Sequence, residues 1–327
     1  MKKTLAIAIA AGLAAPMAVM ADTTLYGSFH NSIDIVDDGS ASNNVSRSSN
    51  KSSLGIKGSE KITDGLTAVY KIEFGPDTGG NGSTLSNRDQ WVALSGEYGT
   101  LASGRASTPY KIVGAKADLF WFSQLGTNRT ITGPNIRADN VIGYFTPKIG
   151  GFKAFVAHIT EGAGNGGSQN DAFTAWSGNA FYTAGGLMVG AGFENIDGGQ
   201  DAVRLMASYD TGTFKVVGFA EDINPDGANN DTSNLGIGAS MKTAKGVVKG
   251  QYYTSDPDGT DNDSSLLAIG YDHNLSKRTT VYAQYATVDN DPLATTRLGQ
   301  GGRSDNYAPN AAGDTVSGIS LGIKHDF

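Results

Sequence analysis

Few residues in this 327-residue chain could do covalent or metal chemistry: four histidines, no cysteine and a scatter of carboxylates. Zero Cys removes thiol catalysis and any disulfide scaffold. His30, His158, His273 and His325 lie far apart, without the short spacings that bring two imidazoles to one metal. No G-x-S-x-G elbow, H-E-x-x-H zinc motif or G-x-x-x-x-G-K-S/T phosphate loop occurs. Asp256-Pro-Asp-Gly-Thr-Asp-Asn-Asp263 is rich in oxygen ligands, but it lacks the sixth-position glycine of a calcium loop and has Leu267 in place of the twelfth-position Glu. The plain reading of it is a solvated loop. The chain is acidic and has no basic stripe, so nucleic acid is not an expected partner. Neither a cofactor nor a reaction is expected.

The charged residues that remain suggest electrostatics rather than catalysis. In Gly65-Leu-Thr-Ala-Val-Tyr-Lys-Ile-Glu-Phe74, alternate side chains of a strand put Leu66, Ala68, Tyr70, Ile72 and Phe74 on one face and Thr67, Lys71 and Glu73 on the other. A second pattern is the connection 106–136, which has no strand alternation. It carries Lys111, Lys116 and Arg129 against Asp118 alone, and its aromatic residues are Tyr110 and the run Phe120-Trp121-Phe122. Structureless connections of this length are rare in compact domains and usually functional.

Turn signals cut the chain into sixteen segments with strand-like alternation: 23–36, 52–61, 65–74, 87–96, 99–105, 137–146, 151–160, 172–183, 186–195, 201–210, 212–221, 233–243, 246–255, 265–275, 278–288 and 315–327. Tight connections such as Gly96-Glu-Tyr-Gly99, Ala184-Gly185 and Thr211-Gly212 alternate with longer polar stretches at 37–51, 75–86, 161–171, 222–232, 256–264 and 289–314. Strict short/long alternation places every tight turn at one end of a closed barrel. The last segment keeps Ile319, Leu321, Ile323, His325 and Phe327 on one face, and so suits the closing strand of such a barrel.

The N-terminus fits export. Met1-Lys2-Lys3 is basic, Thr4–Met17 is apolar or small, and Val19-Met20-Ala21 offers a small-residue cleavage site, so 1–21 is expected to be a signal peptide and 22–327 one mature domain. Cleavage removes Lys2 and Lys3 and takes the net charge from −7 to −9. No later stretch has the ~18 apolar residues of a membrane helix. A barrel strand needs only ~10 residues, half of them facing a polar interior, so a mean hydropathy of −0.24 is compatible with a membrane protein. Phe74, Trp91, Tyr98, Tyr144, Phe152, Tyr182, Tyr209, Phe214, Tyr253 and Phe327 lie toward segment ends, where aromatic rings suit the two membrane interfaces. Sixteen strands enclose a lumen wide enough for water. The aromatic connection 106–136 is expected to fold into it, burying its rings on the wall and narrowing the passage.

Several pieces in order along the mature chain resemble the Gram-negative general-diffusion porins: Thr24-Leu-Tyr-Gly27, Ser53-Leu-Gly-Ile-Lys-Gly-Ser-Glu60, Asn87-Arg88 before Trp91-Val-Ala-Leu-Ser-Gly96, Gly99-Thr-Leu-Ala-Ser-Gly-Arg105, Asp139-Asn140, Leu275-Ser-Lys-Arg-Thr279 and Phe327. The resemblance implies an all-β, sixteen-stranded antiparallel barrel in the outer membrane, assembled as a homotrimer, with its third external loop inside the pore. It also implies that Lys57, Arg88 and Arg105 form a basic cluster on the inner wall, facing the loop. Two departures stand out: Ser53 occupies a place where the family often has arginine, and the loop lacks its usual acidic character.

Function follows from the wall. Charges in a narrow lumen set ion preference, and its width sets the size limit. Arg or Lys on the lipid face costs ~2–4 kcal/mol at the midplane, which turns Lys71, Arg88 and Arg105 inward. The expected pore-lining set is therefore Lys57, Lys71, Glu73, Arg88, Arg105, Lys111, Lys116 and Asp118. The expected function is passive diffusion of ions and small hydrophilic solutes. The mature charge and the Asp-rich loops point to a mild cation preference, and the basic loop points against it. A solute-selective channel with an aromatic track of Tyr110, Phe120, Trp121 and Phe122 is the nearest alternative. A surface enzyme or an adhesin with a plugged lumen lies further off. Expected partners are outer-membrane lipid, lipopolysaccharide bridged by weakly held divalent ions at the Asp-rich loops, and the barrel-assembly machinery at Phe327.

Overall fold

Alternation of outward apolar residues with inward ones runs through most of the strands, and their antiparallel pairing closes the sheet on itself. The computed structural model describes residues 22–78, 85–160, 174–227, 231–259, 261–299 and 307–327. The expected signal peptide at 1–21 and the loop at 161–171 lie outside the described residues, as does part of each of the loops at 75–86, 222–232, 256–264 and 289–314. The strands are β1 (Asp22–Asp37), β2 (Asn44–Ser49), β3 (Ser53–Thr63), β4 (Leu66–Pro76), β5 (Leu85–Gly96), β6 (Gly99–Ser107), β7 (Arg137–Phe145), β8 (Phe152–Ile159), β9 (Ala175–Ala184), β10 (Leu187–Ile196), β11 (Gln200–Asp210), β12 (Phe214–Pro225), β13 (Thr232–Thr243), β14 (Gly246–Pro257), β15 (Ser264–Asn274), β16 (Thr279–Asn290) and β17 (Val316–Asp326).

Each strand pairs antiparallel with its neighbours, and β1 pairs with β17, from Ser28 opposite Asp326 to Asp37 opposite Ser317, which closes the barrel. β2 and β3 pair in turn with the outer and inner halves of β1. They are one barrel strand interrupted at 50–52, and the barrel therefore has sixteen strands. The stretch 37–51, polar and expected as a loop, thus contains a strand. Asn44-Val-Ser-Arg-Ser-Ser49 has one apolar residue, so its strand character came from the ladder with β1 and not from alternation.

At one end the connections are tight, for example Asp64-Gly65, Glu97-Tyr98 and Gly185-Gly186. Gly65 (φ +89°) and Gly185 (φ +56°) take left-handed conformations that suit these reversals. The expected long connections lie at the other end, with one departure. β10 and β11 are joined by Asp197-Gly198-Gly199 only, so the alternation is not strict.

Leu25, Val92, Leu101, Val203, Leu235 and Ile237 are exposed on the outside, where lipid covers them. Tyr98, Tyr144, Phe152, Tyr209 and Phe214 are also exposed near the tight turns. Two aromatic residues expected at the interface do not sit there. Tyr253 is buried and donates a hydrogen bond to the Ala117 carbonyl at 3.2 Å, and Trp91 turns into the lumen. Strand parity puts both on the inward face, a detail that position near a segment end does not reveal.

Connection 108–136 folds inside the barrel. It begins with helix α1 (Pro109–Ala117), capped by Thr108, whose Oγ1 accepts from the Lys111 N–H, with Pro109 in the first turn, where its missing N–H costs nothing. A short 3-10 turn follows at Asn128–Thr130. The loop's Val113, Ala117, Phe120, Leu125 and Ile131 pack on inward-facing Met206, Val217, Phe219, Ala268 and Val288 of the far wall, so the molecule's main apolar core lies between loop and barrel.

Candidate functional site

Two polar anchors hold the loop against the far wall. Arg204 on β11 and Glu221 on β12 are cross-strand partners, 0% and 2% exposed. Arg204 Nε donates to Glu221 Oε1 at 2.7 Å, and Tyr110 Oη also donates to that oxygen. Glu221 Oε2 accepts from the Gly133 N–H at 2.9 Å and from Asn234 Nδ2 at 2.8 Å. The Arg204 guanidinium lies over the Tyr110 ring, 4.0 Å from its centroid. Both limbs of the loop, at Tyr110 and at Gly133, therefore converge on one buried ion pair, and desolvation is offset because every carboxylate lone pair direction has a donor.

Asp118 builds the second anchor. Its Oδ1 accepts from the Phe120 N–H and from Gln251 Nε2, both at 2.8 Å, and its Oδ2 from Thr127 Oγ1 at 2.7 Å and the Asn128 N–H at 3.1 Å. Burial pushes the Asp118 carboxyl upward while these four bonds pull it down. Gln284 Nε2 adds a bond to the Leu125 carbonyl at 2.8 Å.

With the loop on the β9–β17 side, the opposite wall stays open. There, Lys51, Lys71, Glu73, Arg88, Asp89 and Arg137 line a recess of about 270 Å³ whose loop side is Lys111, Trp121 and Phe122. Lys71 Nζ bridges Glu73 at 3.3 Å and Asp89 at 2.8 Å, Arg137 Nε meets Asp89 at 2.6 Å, and Arg88 pairs with Glu73. Lys51 and Arg88 also lie over the Phe122 ring, 4.9 and 5.5 Å from its centroid. Five cations thus face two carboxylates. Lys111 is 5% exposed and has no carboxylate within 4 Å among the described residues. Burial first, then Arg137 and Arg129, push its ammonium well below the ordinary lysine value, with Asp89 opposing.

Of the residues singled out from sequence, Lys71, Glu73, Arg88, Lys111, Trp121 and Phe122 meet in this recess. Lys57 lies lower on the wall, opposite Lys71 in the β3–β4 register and near the Tyr26 ring. Arg105 stands at an irregularity in β6, paired with Asp139 at 2.7 Å and away from the recess lining. Lys116 is exposed on the loop helix. Asp118 is an anchor under the loop rather than a lumen charge. Tyr110 and Phe120 are buried against the wall, which leaves Trp121 and Phe122 as the loop's lumen-facing aromatic residues. Sequence reasoning missed Lys51, Asp89, Arg137 and the Arg204–Glu221 anchor. Inward parity on β11 and β12 was a usable signal for the last pair.

The histidines stay separate. His30 contacts Tyr282 Oη at 3.0 Å, His158 stacks on Trp176, and His273 and His325 contact Tyr271 and Thr279. Among the described residues no group of three or more His, Asp or Glu is placed to hold a metal ion, the Asp256–Asp263 run included.

A closed sixteen-stranded barrel with an anchored internal loop and a charged passage beside it defines a transmembrane channel. The Gram-negative porin family model matches residues 5–293, and the chain belongs to that family. It is 30% identical to outer membrane porin protein 32 of Delftia acidovorans over the whole of both chains. It is 29% identical to major outer membrane protein P.IB of Neisseria gonorrhoeae, over 66% of this chain and 60% of that one. Among solved structures, an anion-selective porin from Comamonas acidovorans superposes with a TM-score of 0.80 at 27% identity, covering 94% of this chain and all of the other. The trimer form of OmpT from Vibrio cholerae, at 16% identity and TM-score 0.74 over 94% of this chain and 99% of that one, shares the fold. The chain is an outer-membrane porin channel of a Gram-negative bacterium, not an enzyme.

Proposed function

We propose that this porin is an anion-preferring diffusion channel for small hydrophilic solutes, with its constriction at the recess between the internal loop and the β3–β7 wall. The observation that carries the reading is the charge count at that recess: Lys51, Lys71, Arg88, Lys111 and Arg137 against Glu73 and Asp89. The mild cation preference expected from net charge is replaced. The net negative charge of the chain is spread over loops in high-dielectric water, screened within about 8–10 Å, whereas the recess charges act across a narrow, low-dielectric-walled passage. The Comamonas relative, an anion-selective porin, agrees with this reading. Residues 1–21 serve as the export signal and 22–327 as the channel domain. Three such barrels assemble as a homotrimer, as in the trimeric OmpT form. Contacts with lipopolysaccharide and recognition of Phe327 by the assembly machinery belong to the same proposal.

The test is single-channel recording of detergent-extracted protein in a planar bilayer across a KCl gradient. Chloride-preferring reversal potentials and closure in steps of three are expected. A potassium-preferring reversal potential would overturn the charge reading.

A further inference from the structure

Inward-facing positions of a water-filled barrel are normally polar. On the far wall of this barrel the apolar inward residues are accounted for, because the loop covers them. On the near wall, inward-facing Val69 (β4), Trp91 and Ala93 (β5), Val141 and Phe145 (β7) and Phe155 (β8) instead line a lumen cavity of about 350 Å³. Ile112 of α1 is the loop's contribution to it. Phe145 and Phe155 line one side of it and stack on each other, with centroids 3.8 Å apart and planes 10° apart. The volume falls at the lower end of the ~300–1,000 Å³ typical of small-molecule sites.

This cavity adjoins the charged recess, since Asp89, Ser107 and Ile112 line both. The one acid at the junction is neutralised twice over, by Lys71 at 2.8 Å and Arg137 at 2.6 Å. Lys111, on the recess side and nearly buried, has no carboxylate partner among the described residues. A mostly apolar cavity thus lies beside a lysine that has no carboxylate within 4 Å among the described residues.

We propose that the two cavities form one solute site for small aromatic monocarboxylates, with the ring on the Trp91/Phe145/Phe155 wall and the carboxylate directed to Lys111 and its neighbouring cations. The proposal rests on the anion-preferring reading and narrows it to a solute class. The energetic reason is the pairing of ring burial with charge neutralisation. A simple anion gains only the second, and a neutral ring only the first.

The test uses three probes added to folded channels in symmetric KCl: benzoate, acetate and benzyl alcohol. Benzoate is expected to produce transient, concentration-dependent current blockades, with half-block at a concentration at least about tenfold below that of acetate or benzyl alcohol. Trp91→Ala and Phe155→Thr should each raise the benzoate half-block severalfold and leave acetate unchanged. Lys111→Gln should do so while leaving benzyl alcohol unchanged. Calorimetric titration of benzoate into detergent-extracted trimer, folded as judged by heat-modifiable gel mobility, provides a readout independent of conductance. Equal half-block by benzoate and acetate, or benzoate blockade unchanged in both wall variants, would overturn the site. Because chloride preference is read separately from the reversal potential, an anion-selective channel that ignores benzoate refutes this proposal and leaves the broader one standing.

Discussion

Neutralising Glu221 should loosen the internal loop without unfolding the barrel. In Glu221→Gln the side chain keeps its shape, but Arg204, 0% exposed, loses its ion-pair partner. Removing one partner of a buried pair costs ~3–5 kcal/mol. The amide can still accept two of the four bonds now made to Tyr110, Gly133, Asn234 and Arg204, and lumen water can reach a displaced Arg204, so the lower bound of ~3 kcal/mol is the better guide. The barrel does not share this loss, because the β11–β12 ladder that carries both residues is held by backbone hydrogen bonds, which the substitution leaves in place. The whole penalty therefore falls on the loop's two limbs at Tyr110 and Gly133, while the Asp118 anchor keeps the middle attached. A loss of ~3 kcal/mol multiplies the population of a displaced loop by about a hundredfold. Open-channel current noise should rise several times over, with excursions to higher conductance, while the heat resistance of the assembled protein stays near that of the parent. Quiet channels of unchanged conductance from Glu221→Gln would refute the assignment of Arg204–Glu221 as the loop's holding point.

Lys51→Glu changes the recess charge by two units, and Lys51 has no ion pair among the described residues to lose. At ~10 Å in water each unit is worth ~0.4 kcal/mol, so local anion concentration should fall about fourfold and the reversal potential should move toward potassium. Lys111 is depressed below its ordinary 10.5 by burial, Arg137, Arg129 and Arg88, with Asp89 opposing. Below its folded pKa it is charged in both folded and unfolded chains, and stability rises with pH from that value toward 10.5. Acidification through the folded pKa therefore adds a cation to the recess, and chloride preference should step upward there in the parent and stay flat in Lys111→Gln, as read from reversal potentials across a pH series. Gly27→Ala would put a Cβ 2.3 Å from the Phe327 ring and 2.6 Å from the Ser53 carbonyl oxygen at the barrel seam. The yield of heat-modifiable folded protein should drop, and normal yield would show that the seam yields easily.

The sequence by itself determined the barrel, because strand parity is a local property. A two-residue period with apolar residues on one face, repeated between tight glycine turns, admits a closed sheet in lipid and little else. Lys71 and Glu73 could be put on one face for that reason, and the aromatic connection 106–136 could be turned inward because its rings needed cover. Tertiary structure decided what no local pattern holds. Asp118 carries the same charge whether it faces water or accepts four bonds beneath a loop, and only packing against Gln251 and Thr127 made it an anchor. Arg204 and Glu221 met because register placed them opposite one another, and Lys51, Arg88 and Arg137 entered one recess because the consecutive pairings from β3 to β7 laid them along one curved wall facing the loop. Ion preference is the clearest case. Net charge sums every carboxylate equally, but a permeating ion weights each charge by distance and dielectric, and those weights exist only once the chain has folded around its lumen.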